Sequence, residues 1–144
     1  MIFRNTDALK KQIAKWLTTE AENEIKVRLF SSANLVEAEA KQSIQRGVKS
    51  GRIYKRRSVV HQASAPGEPP ASDTGFLVSN ITKTAVEKSG TALSISVESK
   101  AKYSKFLEFG TRKMSARPFL QPALEKNKTK IKGKFAKGGF IKWV

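Results

Sequence analysis

Apolar residues recur every three or four positions through residues 6–46, at Ile13, Leu17, Ala21, Ile25, Leu29, Ala33, Val36, Ala40 and Ile44. That period predicts an amphipathic helix with one apolar stripe along its length. Asn5 or Thr6 suits its N-cap, and Gly47 suits its end. Thr19 and Glu22 spell an internal capping box, so a break near residue 18 and a helical hairpin compete with one long, kinked helix. The single helix is the favoured reading. About forty residues at 1.5 Å each extend roughly 60 Å, more than a small domain can cover. Part of the stripe must then meet another chain or bend back.

The pattern changes after Gly47. Residues 48–73 hold Gly, Ser and three prolines (Pro66, Pro69, Pro70) and read as a long exposed loop. Residues 76–85 and 91–98 alternate apolar and polar positions across the turn-forming Lys88-Ser89-Gly90, which predicts an antiparallel hairpin. Leu93, Ile95 and Val97 share the face expected to lie on the helix. Residues 101–109 suit a short helix broken by Gly110, and Met114–Arg117 a third short strand. Pro118 is placed to open a last helix running through about Asn127. Beyond it, Lys126, Lys128, Lys130, Lys132 and Lys134 alternate, and Gly133, Gly138 and Gly139 argue for a flexible basic tail over 128–144. Phe135, Phe140 and Trp143 are candidate partner anchors in that tail. The expected fold is α+β, one domain over 1–144: a long helix (1–47), a basic loop (48–73), a hairpin, turn and C-terminal helix (74–127), and the tail.

Charge sharpens this picture. The net charge is +16 over 144 residues. Basic residues outnumber acidic ones by thirteen to two in residues 100–144 and by five to one in 48–72, but only by eight to six in 1–47. The loop cluster Arg52, Lys55, Arg56 and Arg57 and the C-terminal lysines are therefore the candidate contacts for DNA or for an acidic partner, since neutralising phosphates releases counterions.

Catalytic chemistry finds little support. Cysteine is absent and His61 is the only histidine, with Glu68 or Asp73 as its only nearby acids. A Ser-His-Asp site or a zinc site would lack partners. Gly47, Gly51 and Gly67 fit no phosphate-binding fingerprint. No cofactor and no metal site is expected. No apolar run reaches the roughly 18–20 residues of a membrane span, and the start lacks the apolar stretch of a signal peptide, so a cytoplasmic, membrane-free protein is expected.

Two stretches, ASAPGEPPASDTGFLVSNI and YSKFLEFGTRKMSARPFLQPALE, carry a more specific signal. Together they resemble the tail-component family of long-tailed bacteriophages, through Pro66, Thr74, Gly75, Leu77, Tyr103, Glu108, Phe109, Gly110, Thr111, Arg117, Pro118, Phe119, Pro122, Ala123 and Leu124. The resemblance covers roughly residues 60–125. The basic stretch Tyr54–Arg57 departs from it.

The resemblance implies a structural subunit of a ring, hexameric by preference, at the neck between head and tail. It implies contact with head-completion or connector proteins and with tail-terminator or tail-tube proteins, no cofactor, and assembly in the host cytoplasm into the virion. Within that reading, Phe109 and Phe119 are expected in the core and Gly110 and Thr111 in a tight turn. Glu108 is expected to pair with Arg112 or Arg117, within or between subunits. The alternative is a monomeric basic nucleic-acid-binding protein that stacks bases on Tyr54 and Trp143.

Overall fold

A computed structural model of the chain describes residues 6–136. Helix α1 runs unbroken from Thr6 to Arg46. No break occurs at Thr19: the Thr18 and Thr19 hydroxyls donate to the carbonyls of Ala14 and Lys15, at 2.8 and 2.9 Å, so the helix satisfies them internally. Gly47 ends it, its N–H donating to the Ser43 carbonyl at 2.9 Å.

The expected single stripe is not one face. Residues spaced strictly by four gain about 40° per step on a helix of 3.6 residues per turn, so the five steps from Ile13 to Ala33 turn the stripe about 200°. From Ala33 onward, one step of three (to Val36) offsets the two steps of four (to Ala40 and Ile44) and the face holds. Only that second half is buried: Ala33, Val36, Ala40 and Ile44 enter the core, while Ile13, Trp16 and Leu17 stay exposed. Every described side chain from Lys10 to Glu20 is exposed, so the first third of α1 stands off the domain as an arm.

The stretch expected to be an irregular loop contains a hairpin. Strands β1 (Ile53–Arg56) and β2 (Val59–Gln62) pair antiparallel, with Tyr54 opposite His61. The remainder of the loop is pinned by Glu68, whose carboxylate accepts the N–H of Ser50 (2.9 Å) and of Ala65 (2.7 Å) together with the Ser50 hydroxyl. These bonds hold the Glu68 carboxyl below the usual carboxylate range, the Ser50 hydroxyl being the largest cause.

Residues 76–79 form a helical turn, α2 (Phe76–Ser79), and not the start of a strand. The hairpin that follows is interrupted into two ladders. Strand β3 (Ile81–Lys83) pairs with β6 (Val97–Ser99), and β4 (Glu87–Ser89) pairs with β5 (Ala92–Ser94) across Gly90. Leu93, Ile95 and Val97 are the half-buried positions of an otherwise exposed stretch, as the alternation predicts. Helix α3 (Ser104–Phe109) follows. The third strand expected at Met114–Arg117 is reduced to one bridge, Thr111 to Met114.

Helix α4 (Leu120–Ala136) extends nine residues past the expected end. It lies antiparallel on α1, with Lys126 on Glu39 at 2.5 Å and Lys134 on the Ser31 hydroxyl. Leu120, Ala123, Asn127 and Ile131 form its inward stripe. Much of the segment assigned to a flexible tail is thus helix, because spacings of three and four, and not the alternating lysines, decide its conformation. Arg28 closes its far end, donating to the carbonyls of Lys134 (3.0 Å) and Phe135 (3.5 Å). Residues 137–144, with Phe140 and Trp143, lie outside the described residues. The core joins α1, α2, β3 and α4 around Ile44, Ile81 and Phe119. The result is the α+β arrangement expected, a long helix carrying small antiparallel sheets and a C-terminal helix.

Candidate functional site

Three features built by this fold bear on function: the Glu108 turn, a divided basic surface and an apolar groove beside α1.

Helix α4 begins at Leu120, two residues after Pro118, and its first-turn N–H groups have no partner within the helix. Glu108, at the end of α3, supplies one. Its Oε2 accepts the N–H of Phe119 (2.9 Å) and of Leu120 (3.0 Å), and its Oε1 accepts that of Gln121 (2.8 Å). A carboxylate here also meets the positive end of the helix dipole. Pro122, at the third helical position, costs nothing, since its missing N–H would have been one of the unpaired ones.

The chain between α3 and α4 is folded so that Glu108 can reach. Gly110 adopts φ 76° and ψ −178°. A Cβ there would sit 2.8 Å from the Ala116 nitrogen and 2.9 Å from the Met114 oxygen, so no side chain fits. Thr111 donates its N–H to Met114 (2.8 Å), and its hydroxyl accepts the N–H of Lys113 (3.2 Å). The Arg117 N–H donates to the Leu107 carbonyl at 2.7 Å, and Phe119 then enters the core at 1% exposure.

Two expectations are corrected. Glu108 forms no ion pair with Arg112 or Arg117 among the described residues, because its oxygens are taken by the start of α4. The Arg117 Nε is buried without a partner among those residues. Phe109 is not in the core: it is 78% exposed, because Glu108 faces α4 and the next residue on the short helix is turned outward.

The basic residues form two surfaces. Arg52, Lys55, Arg56 and Arg57 lie exposed on β1 and its turn. Arg56 pairs with Asp73, which also lies 3.3 Å from the His61 Nε2; Arg52, Lys55 and Arg57 meet no acid among the described residues. Arg57 takes φ 56°, a left-handed conformation unusual for a side chain with a Cβ. Tyr54 stacks on His61 at 5.7 Å.

On α4 the lysines diverge around the helix. Lys126 pairs with Glu39 and Lys128 with Glu125 (3.4 Å), and Lys134 turns onto α1, whereas Lys130 and Lys132 are exposed with no acid partner among the described residues. Most acids are similarly committed: Glu22 to Lys88, Glu24 to Arg28, and Glu37 to both Lys41 (2.6 Å) and Lys83 (2.9 Å). Those two lysines, Lys41 first, hold the Glu37 carboxyl below its ordinary range. The unneutralised charge left at the surface is therefore mostly cationic.

The groove is apolar, about 630 Å³, and framed by α1, β6, α3 and α4. Leu29 and Val36 form one wall, Leu124 and Ile131 another, and Phe109 its lip. Sequence reading missed it, since no local pattern marks a space between four elements. The Glu108 cap was equally hidden, because donor and acceptor stand eleven or more residues apart with no fixed-spacing signature. Among the described residues no group of His, Cys, Asp and Glu is placed to hold a metal ion, and no helix is long and apolar enough to cross a membrane.

Comparison with known proteins gives one family. Residues 7–110, from the start of α1 through Gly110, match the HK97-gp10-like family, described as "Bacteriophage HK97-gp10, putative tail-component". No curated protein and no solved structure matches the chain. The match spans well over half of the 144 residues and takes in α1, both hairpins and Glu108, while α4 lies beyond it. The chain belongs to this family of bacteriophage tail components, structural proteins that take their place in the virion among other virion proteins.

Proposed function

We propose that this tail component is a tail-completion or neck subunit, which forms a ring, hexameric by preference, at the head–tail junction through which DNA passes. The observation that carries this reading is the division of its surface. One end presents an apolar arm with no partner among the described residues, and other faces present cations left over after most acids are used. An arm of this kind is built for assembly, and unneutralised cations suit a neighbour with negative charge: the DNA in the lumen, or acidic faces of the connector and of the tail-terminator or tail-tube proteins. The monomeric nucleic-acid binder leaves the arm without a role, and one face of its proposed stacking residue Tyr54 is already covered by His61.

The test is a phage carrying a nonsense mutation in the coding gene. A neck subunit leaves DNA-filled heads and tails of normal length that do not join, and purified protein added to the lysate restores infectivity. Absent or aberrantly long tails, or unfilled heads, would place the protein elsewhere in the particle.

A further inference from the structure

The arm and the groove are complementary, and one chain cannot bring its own two together. Ile13, Trp16 and Leu17 follow the spacing by which a helix anchors in a groove, and Trp16 is 62% exposed. The α1 wall of the groove begins at Leu29, twelve residues further along a continuous helix, which separates the anchors from it by about 18 Å. A rigid helix cannot fold back over that distance. We propose that the arm of one copy, centred on Ile13, Trp16 and Leu17, docks in the groove between α1, α3 and α4 of the next copy.

Trp16 and Phe109 each bury about 150–250 Å² when fully covered. With Ile13, Leu17 and Leu124 also covered, these five side chains remove on the order of 500–800 Å² counted over both partners, a small contact that every copy in a ring makes twice. The arm carries Lys10, Lys11 and Lys15, and the groove lining holds both Glu98, which has no ion pair among the described residues, and Lys105, so the match rests on apolar contact and not on net charge. Because arm and groove are different patches, the contact is heterologous: each copy receives one neighbour and engages another. Such contacts generate closed rings, or filaments when the rotation does not close. This inference rests on the proposed ring assembly and gives it an interface.

The experiment uses two surface variants of the full chain. Trp16→Glu disables the arm, and Phe109→Glu with Leu124→Glu disables the groove. All three positions are exposed, so each variant should keep the circular dichroism of the unchanged chain. By light scattering, the unchanged chain should assemble beyond a dimer and each variant alone should be monomeric. An equimolar mixture should give one-to-one dimers and stop there, since it holds one sound arm and one sound groove per pair.

Variants that assemble like the unchanged chain would overturn the docking and leave the ring standing on another interface. A mixture that stays monomeric would overturn it too, as would one that grows past the dimer. If the unchanged chain is itself monomeric up to about 1 mM, where even weak pairing shows, the docking is wrong and a neck ring would depend on its virion partners.

Discussion

Replacing Glu108 with alanine removes the acceptor of three N–H groups at once and leaves the start of α4 uncapped. A hydrogen bond to a charged group contributes about 1.5–3 kcal/mol net, which sets an upper bound near 4–9 kcal/mol for three. The loss is smaller, because Leu120 and Gln121 lie at the margin, where water can replace part of what is lost; the bond from Phe119 is fully buried. Single N-caps measure about 0.5–2 kcal/mol. One fully buried bond, two partly hydrated ones and the lost helix-dipole interaction come to roughly 3–4 kcal/mol. A chain of this length has about 7–15 kcal/mol in total, so Glu108→Ala should lower the melting temperature by on the order of 10 °C. Glu108→Gln keeps one carbonyl oxygen and should lose about half as much. The assay is urea unfolding followed by circular dichroism, in the Trp16→Glu background so that assembly does not contribute to apparent stability. The midpoint should fall with an unchanged slope. An alanine variant within about 0.5 kcal/mol of its parent, the ordinary range of surface substitutions, would refute the cap.

Gly110→Ala forces a Cβ against the Ala116 nitrogen and the Met114 oxygen at positive φ, and should destabilise by about 2–3 kcal/mol, read by the same unfolding curve. Arg57→Gly relieves the left-handed residue at the tip of the first hairpin and should leave stability equal or up to about 1 kcal/mol higher. If that tip contacts DNA, the same change reduces the salt slope of duplex binding by about one, measured by fluorescence anisotropy; an unchanged slope removes Arg57 from the contact. Glu37 and Glu68 titrate lower in the folded chain, so their contribution is complete above the unfolded carboxyl range, near 4.3, and is lost as pH falls through their lower folded values. Glu68→Gln should therefore flatten the decline of the melting temperature below about pH 4, and an identical decline would show that Glu68 contributes nothing to it.

Elements that rest on local period were legible in the sequence. The long helix, the hairpin around Gly90 and the short helix before Gly110 all followed from spacing and turn residues. What escaped were features set by distant partners. Glu108 between Leu107 and Phe109 looks like an acid in search of an arginine, and only the tertiary position of α4 turns it into a cap. Phe109 looks like core for its hydrophobicity, but a helix of six residues has room for one inward face, and Glu108 occupies it. The alternating lysines suggested an extended tail because charge was weighed above the inward stripe of Ala123, Asn127 and Ile131. The β1–β2 hairpin was masked because its strands, exposed except for the half-buried His61, have no buried face to produce an alternating signal.

The winding of the α1 stripe connects these observations to assembly. Had steps of three interrupted the run between Ile13 and Ala33, the arm would present its apolar residues in line with the core face, where the domain's own elements could grow to cover them. Strict steps of four carry Ile13 to the opposite side of the helix from Ala33. The two halves of one helix then address different surroundings: the second packs on its own domain, and the first faces outward. A monomer would gain nothing from such a helix, since exposed Ile, Trp and Leu raise the risk of aggregation. In the proposed assembly the same residues become buried, and the rigid helix between the halves would fix how far one subunit stands from the next. Shortening α1 by the four residues Thr18–Ala21 would change that spacing while preserving both faces within about 40°. It is therefore the change that should spare folding and still alter the size of the assembly.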